Sequence, residues 1–103
     1  MPEHMPVAVV RLDLDPSQEH EYWLPGSGSR SLLYVFDGQQ VGASAETRDG
    51  RDLTPGSSHE GVRLTFWDPA AIPLVHAGAA FEVWYGGVIG RGMVDHLESE
   101  ERT

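Results

Sequence analysis

Val62-Arg63-Leu64-Thr65-Phe66-Trp67 is the clearest two-residue alternation in the chain. Successive side chains of a strand leave on opposite faces, so Val62, Leu64 and Phe66 share an inner face, and Arg63, Thr65 and Trp67 share the outer one. Asp68-Pro69 stops this strand. Downstream, residues 70–77 suit a single helical turn and Gly78 reverses the chain. Phe81, Val83 and Tyr85 then alternate with Glu82 and Trp84, Gly86-Gly87 supplies a tight turn, and residues 88–97 return as a partner strand. Upstream, residues 48–60 are mostly Arg, Asp, Gly, Ser and Pro, which predicts a long hairpin connection or mobile loop. Before it lie a strand over 40–47 with Val41, Ala43 and Ala45 inward, the apolar strand 32–36 closed by Asp37-Gly38, and a Gly/Ser loop over 25–30. The first strand runs over residues 6–14, with Ala8, Val10, Leu12 and Leu14 on one face. Residues 98–103 form an acidic tail expected to fray.

Six short strands and no sustained 3.6-residue pattern predict an all-β chain in one domain over residues 1–103, closed as a small six-stranded antiparallel barrel. Closure removes the unpaired edges that invite association between chains. Gly90 and Gly92 sit two apart in the last strand, hence on one face, where a tightly coiled barrel needs a close backbone approach.

The 103 residues carry 16 acidic and 7 basic groups, a formal charge of -9. Every basic residue is Arg, and Cys is absent. That composition excludes disulfides, thiolate zinc sites, thiol nucleophiles, a phosphate-loop lysine and lysine Schiff-base chemistry. No apolar run exceeds five residues and the start has no basic or greasy leader, so a soluble, cytoplasmic protein is expected, with no membrane span. The five histidines, His4, His20, His59, His76 and His96, fall in five segments without metal-ligand spacing. His59-Glu60 and Glu19-His20-Glu21 place imidazole beside carboxylate, but neighbours on a strand face opposite ways and make no dyad. No catalytic motif, metal site or cofactor site is expected.

Leu74, Gly78, Phe81-Glu82-Val83-Trp84-Tyr85-Gly86-Gly87 and Val88-Ile89-Gly90-Arg91-Gly92-Met93-Val94 follow an order that resembles the end of the third domain of elongation factor Tu. The preceding succession is similar too: an opening strand at Val7 to Leu12, a Gly-rich loop ending in Arg30, the aromatic strand Leu33 to Phe36, and Val41-Gly42. This resemblance implies a six-stranded antiparallel barrel related to translation proteins. It implies RNA contact by Arg30, at the position of a family arginine, and by the turn Gly86-Gly87. The turn is about one residue shorter than the family's, with Tyr85 in place of an acidic residue.

RNA or tRNA contact is disfavoured by the charge of -9, because phosphate affinity draws on clustered cations. The aromatic residues give a different expectation. Trp67 and Trp84 both face outward, where two indoles on one sheet face would mark an interaction surface unless residues 70–77 or Tyr22-Trp23-Leu24 cover them. The expected function is therefore a non-catalytic binding module for a protein partner or a second copy. Trp67 and Trp84 would be its anchors, with Arg63, Glu82 and Arg91 setting orientation. An RNA-contacting translation accessory is the first alternative and a small metal-dependent enzyme the second.

Overall fold

The alternation at residues 62–66 belongs to a strand of a barrel in a computed structural model that describes residues 6–16 and 23–98. In chain order the elements are β1 (Val7–Leu14), β2 (Ser27–Ser29), β3 (Leu33–Phe36), β4 (Gln39–Glu46) and β5 (Ser58–Phe66). A single 3-10 turn at Pro69–Ala71, β6 (Ala80–Trp84) and β7 (Val88–Glu98) follow. Six strands close antiparallel in the ring order β4-β3-β6-β7-β1-β5, with β5 returning to β4. Among the described residues no helix is long and apolar enough to cross a membrane. The acidic tail beyond Glu98, together with His4 and residues 17–22, lies outside the described residues.

The period-two reading placed the inner face correctly. Ala8, Val10, Leu12, Val41, Ala43, Ala45, Val62, Leu64, Phe66, Phe81 and Val83 are all buried. Tyr34 and Phe36 meet Phe66 and Phe81 in edge and tilted ring contacts with centroids 4.9–6.1 Å apart. Tyr85, which the alternation placed inward, is 39% exposed because the β6–β7 turn begins there. One barrel end is closed by Ala71 and Val75. At the other, Leu24 and Leu53 are paired by two backbone hydrogen bonds of 2.8 and 3.0 Å.

Two features differ from the sequence expectation. A seventh strand, β2, joins the sheet: β3 covers only Gln39–Gly42 of the longer β4, and Ser27 and Ser29 take up the remaining edge opposite Glu46 and Ala45. Second, β5 starts at Ser58, inside the segment expected as a connection. Val10 faces Val62 but Leu12 faces His59, so an extra residue of β5 interrupts the alternation there, and Gly61 has φ 71°. The 47–57 segment is the β4–β5 hairpin connection, and its Leu53 is fully buried.

Gly90 and Gly92 have the role that their spacing predicted. A Cβ on Gly90 would lie 2.4 Å from the Asp13 carbonyl oxygen, and one on Gly92 would lie 2.5 Å from both the Arg11 carbonyl oxygen and the Phe81 ring. The β1–β7 approach needs both positions bare.

Candidate interaction surface

Trp67 follows the last residue of β5, and its N–H donates to the Gly42 carbonyl at 3.3 Å. Val41 and Ala43 point inward, so Gly42 faces out. A Cβ on Gly42 would sit 2.5–2.6 Å from three indole atoms, so the ring lies in the slot that the missing side chain leaves. The Arg30 guanidinium carbon sits 4.9 Å from the centre of the same ring, a cation over an aromatic face.

Register then builds a row. Gly42 pairs with Leu33, Leu33 with Trp84, and Trp84 with Val88. Tyr34 and Val83 are buried neighbours, which turns Leu33 and Trp84 outward. Trp67 is 42% exposed and Val88 is 52% exposed, while Leu33 and Trp84 are half-buried. An apolar strip thus crosses four adjacent strands on the outer wall. In the parallel row Gln40 pairs with Val35, Val35 with Glu82, and Glu82 with Arg91, so three polar side chains flank the half-buried Val35.

The expected anchors are therefore on one face, with Glu82 and Arg91 at its rim. Arg63 is elsewhere. It lies on β5, three ring positions from β6 in either direction, and its Nη2 donates to Glu98 at 2.9 Å. Arg30 and the Gly86-Gly87 turn, expected as RNA contacts, flank the same strip, Arg30 over Trp67 and the glycines between Trp84 and Val88. The 3-10 turn commits Ala71, and the residues after it commit Val75, to the core. Trp23 is 74% exposed and its indole N–H donates to the Asp52 carboxylate. Tyr22, the other proposed cover, lies outside the described residues.

Sequence reasoning missed Leu33, Gly42 and Val88. Gly42 carried a usable signal, because a glycine within a strand often marks close approach by another group. Among the described residues no group of three His, Asp or Glu is placed to hold a metal. His59 is buried while Glu60 faces out, as alternation required. His76 and His96 are exposed, with the Ala77 carbonyl 3.3 Å from His76 Nδ1 and the Asp95 carboxylate 3.7 Å from His96 Nδ1. His4 and His20 lie outside the described residues. No protein-family model matches this chain, and no curated protein matches it.

Proposed function

We propose that this barrel is a non-catalytic binding module that docks a protein partner on the strip Trp67–Leu33–Trp84–Val88. The observation that carries the reading is that the Trp67 ring over Gly42 and the register from Gly42 through Leu33 to Trp84 bring two outward tryptophans onto one face, beside a row that holds Gln40, Glu82 and Arg91. An apolar centre with a polar rim is the usual anatomy of an interface, and tryptophan is the side chain most often found at its energetic centre. A closed six-stranded ring is also what the resemblance to the third domain of elongation factor Tu implies, and this supports a binding barrel of that kind.

Trp67→Ala and Trp84→Ala test the reading. Sedimentation velocity and pull-down from the native host should show a partner or second copy held by the wild type and lost from both variants, with the far-ultraviolet spectrum of the barrel unchanged. Retention of the same complex by both variants would remove the strip as the interface.

A second reading has one observation of its own: Arg30 and Gly86-Gly87 border this strip, so an RNA-contacting accessory would use the same wall. Opposing it is the net charge of -9, which leaves few cations to replace phosphate counterions. A gel-shift at low salt, where such binding is strongest, separates the two: a shift lost in Arg30→Gln favours RNA.

A further inference from the structure

The β4–β5 connection closes its end of the barrel beside a histidine whose hydrogen bonding is half complete. His59 is the second residue of β5, faces inward and is 3% exposed. Its Nε2 lies 2.9 Å from Ser57 Oγ. The proton of that hydroxyl is already committed, since Ser57 Oγ donates to the Thr54 carbonyl at 2.6 Å while accepting from the Thr54 N–H at 3.2 Å. Nε2 must then be the donor, and Nδ1 is the bare acceptor nitrogen of the neutral ring. Nδ1 is buried and has no hydrogen-bond partner among the described residues.

Protonation would place an N–H and a positive charge where no acceptor is waiting, which is far costlier than an idle lone pair. Among the described residues, the charged groups around this end are three arginines and three carboxylates. On the connection, Arg51 is ion-paired with Asp49 at 2.8 Å and donates to the Ser58 carbonyl at 3.3 Å, and Arg48 lines the same cleft. On β1 the cleft holds Arg11 and Asp13, the latter accepting from Ser58 Oγ at 2.8 Å, and on β5 it holds Glu60. Burial, then the Arg51 charge, keeps the His59 pKa below the usual imidazole range, with Asp49 pulling weakly the other way.

The same few residues pin the connection. Ser57 Oγ meets His59 and is itself held by Thr54, Ser57 O accepts from Leu14 N–H at 2.9 Å, Gly56 N–H donates to Asp15 O at 3.2 Å, and Leu53 pairs with Leu24. We propose that His59 is an acid-operated latch: the neutral ring ties the 54–57 turn to the start of β5, and protonation releases the connection from the barrel end. Above the ordinary imidazole value both the closed and the open connection hold a neutral ring, and pH has no effect. Below about 6.5 the open form takes a proton that the closed form refuses, so opening grows by up to about tenfold per pH unit until the closed-state value is reached.

Amide exchange of the intact protein, followed by NMR from pH 7.5 to 5 and corrected for intrinsic rates, reads this directly. Protection of the Leu24 and Leu53 amides should fall by up to tenfold per pH unit and lie well below that of Val62 and Leu64 at every pH, because the barrel wall exchanges only through global unfolding, which takes up the same proton at a higher free energy. His59→Gln keeps a donor for Ser57 without a titrating group and should flatten the response. His59→Phe, which fills the site with no polar atom, should also flatten it and serves if the glutamine is not accommodated. The same protection factor at all four amides, a response that persists in either variant, or a His59 ring that titrates at or above the ordinary value would overturn the latch.

Discussion

Gly42 and Tyr34 show how single atoms decide this molecule. The indole of Trp67 rests where the Gly42 side chain would be, so Gly42→Val should lift the ring off β4 without altering either tryptophan. The expected result is a red-shifted, more readily quenched emission from Trp67, isolated in a Trp23→Phe/Trp84→Phe background. In the otherwise wild-type chain the same substitution should weaken partner binding by tenfold or more if the strip is the interface. An unchanged spectrum would mean the strand, and not the ring, had given way. Tyr34 presents the opposite case, a fully buried phenol whose hydroxyl has no partner among the described residues. Burial pushes its pKa far above the ordinary phenol value, so it stays protonated throughout the usable pH range. Tyr34→Phe removes an unsatisfied polar atom while keeping the ring contacts to Phe66 and Phe81, and should stabilise the fold by about 1 kcal/mol, or several degrees in a thermal melt. A loss of stability would point to a hydrogen bond made by that hydroxyl.

The strands differ in how far the sequence revealed them, and the differences have physical causes. β1 and the second half of β5 were legible because each puts one face on the core and burial enforces a two-residue period, while β3 showed as the unbroken apolar run Leu32 to Phe36, both of whose faces are partly covered. β2 was not, since Ser27-Gly28-Ser29 has no apolar face and pairs only because β4 outruns β3. The start of β5 was hidden by the bulge after His59, which breaks the period. The outward direction of Trp67 and Trp84 could be read locally, but their meeting on one strip depends on register between distant strands, which no local pattern fixes. The glycine pair of β7 was legible by spacing, and it yields a test: Gly92→Ala drives a methyl into the Arg11 carbonyl and the Phe81 ring, and should cost about 1–3 kcal/mol in denaturant melts. An unaffected midpoint would mean β1 and β7 can part without loss. The β4–β5 connection should also respond to acid a second time, well below the His59 range. Asp49 accepts from the Arg51 N–H and its guanidinium, the backbone bond foremost in holding its carboxyl below the usual value. Because the folded value is the lower one, its contribution is present above the ordinary carboxylate range and is lost as pH falls through the folded value. Asp49→Asn should remove that lower step while leaving the His59 step in place.

At the scale of the whole barrel, the charge of -9 decides between the two kinds of partner that the strip could hold. Two copies of the same acidic barrel repel one another at long range, and salt screens that repulsion over a Debye length of about 10 Å at 0.1 M. A basic partner is instead drawn in, and salt weakens the attraction and slows the encounter. Apolar contact on Trp67, Leu33, Trp84 and Val88 contributes to both complexes and is nearly indifferent to moderate salt, so the sign of the response comes from the charges outside the strip. Raising sodium chloride from 20 to 300 mM should therefore tighten association if the complex is a homodimer and loosen it, mainly through a slower on-rate, if the partner is a basic protein. Trp84→Ala should weaken either complex without changing the sign of its salt dependence, because it removes contact area and leaves the charge of the barrel unaltered. A reversal of sign in that variant would mean that binding runs through charged groups away from the strip, and the tryptophan row would then lose its place as the interface.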